Sequence, residues 1–104
     1  MAQFDVCRLH ASRSGKSEPR FVLVMQCDLM SDLYTTIVAP LADEGLLPEL
    51  HRLRPIISVS GKRWRVIMDR LSVISRKSLG DVVGSVPECE YELRRALDIV
   101  FLGV

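Results

Sequence analysis

Residues 56–68 read IISVSGKRWRVIM, and this stretch decides the fold class that the sequence predicts. Its two flanks, residues 56–59 and 64–68, are short and rich in β-branched and aromatic side chains, which is typical of strands. Ser60 and Gly61 lie between the flanks, and a short connection that contains glycine is typical of a hairpin turn. The sequence therefore predicts an antiparallel hairpin in the second half of the chain.

The segments before this hairpin also have strand character. Residues 3–6 (QFDV) alternate between polar and apolar, which predicts a strand with one face on a core, and the polar residues 12–19 are typical of a loop after it. Residues 21–25 (FVLVM) are apolar on both faces, so we expect a buried central strand paired with the first one in a hairpin. Residues 35–39 predict a further strand that Pro40 stops. Short strands at close spacing favour an antiparallel barrel or rolled sheet.

The period of the apolar residues changes near residue 93. The apolar positions recur at helical spacing and predict an amphipathic helix, with a stripe that consists of Leu93, Ala96, Leu97, Val100 and Phe101. Residues 85–88 (SVPE) predict a helix start in which Ser85 and Glu88 cap the first turn and Pro87 lies inside it. The predicted fold class is mainly β with a C-terminal α-helix, in one domain over residues 1–104.

Composition narrows the class of protein. The chain has 104 residues, of which 48% are hydrophobic, enough for one core without disulfide or metal support. The net charge of +1 gives no global attraction for nucleic acid or an acidic membrane. Cys7, Cys27 and Cys89 show no CxxC spacing, and no apolar run reaches the roughly 18 residues of a membrane span. We therefore expect a cytoplasmic protein with reduced thiols, no metal and no cofactor.

Catalytic patterns do not emerge from the sequence. His10 and His51 have no acidic neighbour at a spacing that would orient an imidazole, and no serine lies in a G-x-S-x-G elbow. Nothing beside Cys27 would activate its thiol, so we interpret it as a packing residue. The residues alone indicate a binding module and not an enzyme.

A basic group surrounds Trp64 and consists of Arg52, Arg54, Lys62, Arg63 and Arg65. Basic side chains around an aromatic ring occur on nucleic-acid-binding sheets. On a strand, however, Arg63 and Arg65 point to the side opposite Trp64 and Val66. We therefore interpret the segment as a half-buried hairpin whose wet face is charged.

Two short motifs introduce a family resemblance. Residues 26–30 (QCDLM), followed by residues 37–41 (IVAPL), resemble a pattern of the CcdB family. The similarity continues from Trp64 to the closing residues 96–104 (ALDIVFLGV) and includes the opening QFDV, so that it covers nearly the whole chain. The loop of residues 11–20 is longer than in familiar members.

The resemblance implies a fold, partners and a function. The fold would be a five-stranded antiparallel sheet with a smaller sheet, an SH3-like barrel, and a C-terminal helix. The protein would be a homodimeric toxin of a toxin–antitoxin pair that serves plasmid maintenance and inhibits a topoisomerase by entering the DNA gyrase A subunit. A CcdA-like antitoxin would bind the toxin, and the complex would repress its operon by transcription repression at operator DNA. The family's gyrase-binding positions fall on Phe4, Cys27, Leu29, Met30, Asp98, Leu102, Gly103 and Val104.

One residue departs from the family pattern. Leu102 stands where the family has tryptophan, a residue type favoured as an interface anchor. This leaves two alternatives to a gyrase poison. One is a non-poisoning or retargeted relative that binds antitoxin but not gyrase. The other is an RNA-cleaving toxin, although Arg13, His51 and Arg65 do not form a recognisable catalytic set.

Overall fold

The computed structural model describes residues 2–10, 20–27, 34–44 and 53–103. The predicted loop of residues 12–19 lies outside them. Seven strands are present: β1 (Asp5–Leu9), β2 (Phe21–Val24), β3 (Thr35–Asp43), β4 (Ile56–Val59), β5 (Lys62–Val66), β6 (Ser72–Ser75) and β7 (Leu79–Ser85). The helix α1 spans Glu90–Leu102, and short 3₁₀ turns cover Met68–Arg70, Arg76–Ser78 and Pro87–Cys89.

Strand β3 belongs to two sheets. The first half of β3 pairs with β6 on one side and β2 on the other, in a five-stranded sheet with the strand order β6-β3-β2-β1-β7. The last residues of β3 pair with β5, which together with β4 forms a smaller sheet. Every pairing is antiparallel. The architecture is a curled, mainly β half-barrel with one C-terminal helix, which confirms the predicted fold class.

Pro40 does not stop β3, so that prediction was wrong. The strand pairs with β6 up to Val38 and with β5 from Leu41 onward, so Pro40 lies where the neighbour changes. Its carbonyl oxygen accepts a hydrogen bond from the N–H of Ile67, on the edge that faces away from β2. The N–H that proline lacks would point to this same edge, between the two pairings, and so its loss breaks no ladder hydrogen bond.

Both predicted hairpins are confirmed, but with shifted strands: β1 spans Asp5–Leu9 where residues 3–6 were predicted, and β5 spans Lys62–Val66 where residues 64–68 were predicted. Strands β1 and β2 pair with Val6 opposite Leu23. Strands β4 and β5 pair with Val59 opposite Lys62, so the turn between them has two residues. Ser60 and Gly61 have φ angles of 53° and 80°, the left-handed values that a two-residue type I′ turn requires at both positions.

The core consists of two clusters on opposite faces of the sheet. The larger cluster lies between the sheets and α1 and contains Val6, Leu23 and Leu93. The smaller one contains Cys7, Val22 and other residues of the opposite face. Val6 and Cys7 point to opposite faces of β1, and both are buried. The alternation of residues 3–6 predicted only one buried face, because that pattern does not extend to Cys7.

The helix prediction is confirmed, but its capping is not. Leu93 and Ala96 are fully buried, and Leu97 and Val100 pack against the same core, whereas Phe101 is exposed. No side chain caps the helix start. Ser85 still belongs to β7, and its hydroxyl donates to the carbonyl oxygen of Phe4 at 3.5 Å instead of accepting from the helix.

Candidate binding site at the end of the C-terminal helix

The last turn of α1 presents apolar side chains to solvent. Phe101 is 69% exposed and Leu102 is 73% exposed, beside the exposed carboxylate of Asp98. Gly103 follows in the left-handed conformation, with φ of 79°, and its N–H donates to the carbonyl oxygen of Ile99 at 3.0 Å. This bond satisfies one free carbonyl of the helix end. The end of the helix is therefore ordered and yet uncovered, which suits contact with another molecule.

The other predicted site residues lie elsewhere or outside the described residues. Phe4 is buried within the larger core cluster, and its backbone bonds to Val24 and Val86. Cys27 is exposed just after β2. Leu29, Met30 and Val104 lie outside the described residues. The structure therefore brings Asp98, Leu102 and Gly103 together and gives the side chain of Phe4 a place in the core.

A second feature of α1 carries no motif in the sequence. Tyr91 is 67% exposed, and Nη1 of Arg95 donates to its hydroxyl oxygen at 3.3 Å while the guanidinium carbon lies 5.8 Å from the ring centroid. A shallow trough of about 350 Å³ runs along this side of the helix and is lined by Glu90, Tyr91, Arg94, Arg95 and Asp98. The sequence signal that could have identified this side of the helix is the spacing of residues 91, 95, 98 and 102. At helical periodicity these residues lie on the side opposite the apolar stripe.

A cross-strand apolar pair lies uncovered on the five-stranded sheet. Ile37 of β3 is opposite Val73 of β6, and their side chains are 38% and 67% exposed. Strand β6 pairs only with β3 among the described strands, so this pair lies beside a sheet edge. Apolar pairs in such a position suit a protein–protein contact.

The basic group around Trp64 is largely neutralised. Lys62 and Arg63 form ion pairs with Asp43 and Glu44 at 2.7 and 2.9 Å. The ammonium group of Lys62 also lies over the Trp64 ring, 4.1 Å from its centroid. Lys62 therefore covers a face of the ring on which a nucleobase would have to stack. Arg52 lies outside the described residues. These contacts favour the half-buried hairpin over a nucleic-acid surface.

Arg65 is an exception to the predicted wet face. It is 2% exposed, and its Nη1 donates to the carbonyl oxygen of Arg54 at 2.9 Å, while its Nε has no hydrogen-bond partner among the described residues. The expectation that Arg65 is solvated was therefore wrong, because the backbone at residue 54 folds over it. Arg54 itself forms a bidentate pair with Asp69, with contacts of 3.0 and 2.9 Å. This hydrogen bonding holds the pKa of Asp69 below its usual range.

Thiol and metal chemistry find little support in the described residues. Burial is the main cause that raises the pKa of Cys7 and of Cys89, and nearby carboxylates add to it, so both thiols stay protonated at neutral pH. No group of three or more metal-binding side chains occurs in the part of the chain that the structure describes. Of the ribonuclease candidates, Arg65 is buried, and Arg13 and His51 lie outside that part. None of the described helices has the length and apolarity that crossing a membrane requires.

Comparison with known proteins gives a family and a fold. The model of the family described as CcdB protein matches residues 3–103. Two solved structures are similar over nearly their whole length. An endoribonuclease in complex with its cognate antitoxin from Mycobacterial species covers 100% of this chain and 96% of its own, with TM-score 0.77 and 16% identity. The Mycobacterium tuberculosis toxin MazF-mt6 covers 93% and 95%, with TM-score 0.75 and 18% identity. At such identities the likeness shows a shared fold.

Proposed function

Because this chain belongs to the CcdB family, whose members are toxins of toxin–antitoxin pairs, we propose that it acts by binding the A subunit of DNA gyrase and trapping the enzyme on cleaved DNA. The observation that carries this proposal is the uncovered end of α1, where Asp98, Leu102 and Gly103 lie together. These are three of the positions to which the family's gyrase contacts correspond. The mechanism is binding, without a chemical step performed by this chain.

Leu102 determines how strong that binding is. A leucine that is 73% exposed keeps apolar area for a partner but lacks the ring and the N–H of tryptophan. Truncating an aromatic anchor typically costs about 2 to 4 kcal/mol, or roughly thirty-fold to a thousand-fold in affinity. We therefore expect weaker gyrase binding than a tryptophan would provide. A relative that binds antitoxin alone is the corresponding alternative.

The remaining partners follow from the same assignment. The exposed pair Ile37 and Val73 supports a homodimer, because two copies could cover it across a two-fold axis. The apolar stripe of α1 gives less support for a dimer, since Leu93 is already enclosed in the core of one copy. A cognate antitoxin would bind this toxin, and the complex would repress its operon through the antitoxin's contacts with operator DNA.

Two measurements test the proposal. In cells, induction of the chain should stop growth when gyrase is wild type and should be tolerated when gyrase resists the family's toxins. In solution, the pure chain should bind the gyrase A subunit and increase the amount of gyrase-cleaved DNA. Growth arrest that is equal in both strains, together with no binding to the A subunit, would contradict the proposal.

RNA cleavage is the second candidate, because the fold is shared with endoribonuclease toxins. We expect the pure protein to leave structured and single-stranded RNA intact over hours. Reproducible cutting at defined sequences, lost on changing Arg13 or His51, would make ribonuclease activity the function of this chain.

A further inference from the structure

We propose that Arg65 of β5 is the centre of a binding site for a small oxyanion, a phosphate or a carboxylate. Trp64 and Val66 point from β5 into the larger core cluster, so Arg65 lies on the outer face of the smaller sheet. There the backbone of Arg54 covers it. Such a site is independent of gyrase binding, because the class of ligand follows from the charge and the donors of Arg65 itself.

The charge of Arg65 is not balanced by the surrounding protein. An arginine side chain stays charged inside proteins, and Arg65 is only 2% exposed. Burial of an unpaired charge is costly, so buried charges in proteins are normally paired. No ion pair joins Arg65 to a carboxylate of the described residues. The carboxylates around this hairpin are taken by other cations, in the pairs Lys62–Asp43, Arg63–Glu44 and Arg54–Asp69.

The hydrogen-bond donors of Arg65 are also underused. Its Nη1 donates to the carbonyl oxygen of Arg54 at 2.9 Å, whereas its Nε–H has no acceptor among the described residues. Its cross-strand neighbours, Ile56 and Ala42, have apolar side chains and offer no acceptor. A neutral acceptor would satisfy the Nε–H but leave the charge unbalanced. A phosphate or carboxylate supplies both, because two of its oxygens match the planar fork of a guanidinium.

The cover over Arg65 is short and has a fixed end. Leu53 and Arg54 are only half-buried, and the side chain of Arg54 is tied to Asp69 by contacts of 3.0 and 2.9 Å. Pro55 is buried, and its carbonyl oxygen accepts a hydrogen bond from the N–H of Val66 at 2.8 Å. Displacement of residues 53 and 54 alone would therefore uncover the guanidinium. Local openings of this size leave the rest of a fold intact.

The test measures binding of inorganic phosphate to the full-length chain by calorimetry and by thermal unfolding. Ionic strength is held constant with chloride, because phosphate also stabilises proteins without binding to a site. The wild type should show saturable binding. Its unfolding temperature should rise by about 4 to 8 °C when free phosphate reaches roughly five times its Kd.

Two matched variants assign the effect to Arg65. Arg65→Met keeps the length of the side chain without its charge, and it should remain folded and lose the saturable binding. Arg63→Met removes the exposed cation two residues earlier on the same strand face, and it should bind phosphate like the wild type. If Arg65→Met does not fold, Arg65→Lys replaces it. The lysine keeps the charge but not the fork, so its affinity for phosphate should fall about ten-fold or more.

A third variant tests the cover. Asp69→Asn releases Arg54 and should tighten phosphate binding several-fold, because the open form becomes more populated. Asp43→Asn removes a carboxylate from the ion pair with Lys62 and leaves the cover unchanged, so its affinity should match the wild type. Equal affinities in both variants would show that residues 53 and 54 do not control access.

A parallel titration with acetate distinguishes the two sources of an oxyanion. Acetate binding that is saturable and lost in Arg65→Met, without phosphate binding, would support the site and identify its ligand as a carboxylate. If Arg65→Met responds to phosphate as the wild type does, the effect is a general one of the salt and the proposal is wrong. Saturable binding of neither anion to the wild type would also overturn it.

Discussion

Gly84 of β7 lies directly against Val59 of β4, and a Cβ atom at residue 84 would overlap the Cγ1 methyl group of Val59. Strand β4 ends the smaller sheet and β7 ends the larger one, so this contact closes the curled sheet on itself. We expect Gly84→Ala to lower the free energy of unfolding by about 1 to 3 kcal/mol, as overpacking does elsewhere. Denaturant unfolding measures it.

The double variant Gly84→Ala with Val59→Ala provides the control, because it removes the overlapping methyl groups. It should be more stable than the sum of the two single changes predicts. Strict additivity would mean that the two residues do not meet.

The Arg54–Asp69 pair predicts a dependence of stability on pH. The hydrogen bond from Arg54 lowers the pKa of Asp69 in the folded state. The pair therefore stabilises the fold above the unfolded pKa of about 3.9 and loses this effect as the pH falls through the lower folded value. The difference in unfolding free energy between the wild type and Asp69→Asn should be constant near pH 7 and shrink below about pH 4. The control is the same Asp69→Asn comparison in an Arg54→Met background, where the dependence on pH should be much smaller because the hydrogen-bond partner is gone.

The exposed pair on the five-stranded sheet predicts a variant with altered assembly. Val73→Lys places a charge where a second copy would cover Ile37 and Val73, and burying an unpaired charge is costly. We expect sedimentation to show a dimer for the wild type and a monomer for Val73→Lys at micromolar concentration. Val82→Lys, on another exposed valine, should remain dimeric. A wild-type monomer would contradict the homodimer proposal.

The helix end predicts opposite effects for two neighbouring substitutions. Leu102→Trp should restore an aromatic anchor and increase growth inhibition by about ten-fold or more. Gly103→Glu should abolish toxicity, because the residue has φ of 79° and a side chain there brings backbone strain and charge to the contact. Both proteins should fold, since an added Cβ at residue 103 meets no atom within 4 Å. Unchanged growth with both folded variants would show that the helix end has another role.

Truncation of Phe4 should lower the stability of the fold. Because the side chain is 5% exposed inside the larger core cluster, Phe4→Ala should cost about 3 to 5 kcal/mol of unfolding free energy. Phe4→Leu should keep the fold and serve as the variant for binding measurements. Gyrase affinity that drops sharply in a stable Phe4→Leu protein would indicate that residue 4 also contributes to the contact.

The elements predicted from sequence were those whose patterns are local. Residues 56–68 carry their own turn chemistry in Ser60 and Gly61, and the helix carries its own period. The prediction that Pro40 ends the strand was wrong because the effect of its missing N–H depends on which strand lies beside it. The local sequence does not contain that information. The prediction that Ser85 caps the helix was wrong for the same reason, since Ser85 belongs to β7 and pairs with β1.

Strands β6 and β7 and the exposed contact between Tyr91 and Arg95 were missed altogether. Val82 and Val83 are flanked by Gly80 and Gly84, so their short apolar run is interrupted by residues that usually punctuate structure. Arg65 could not be recognised as buried because its cover comes from the backbone eleven residues earlier. At the site, the resemblance supplied the helix end, whereas exposure of Tyr91 and its contact with Arg95 required coordinates.

The pairing of β1 with β7 also has a kinetic consequence. The nearest partners along the chain are Leu9 and Leu79, so the two strands can meet only after a loop of about 70 residues has closed. Folding dominated by such remote contacts proceeds on the scale of milliseconds to seconds, far more slowly than helix formation. During that interval the outer edge of β1 exposes unpaired backbone groups that can recruit strands from other chains. We therefore expect the newly made chain to be most prone to aggregate before β7 has docked.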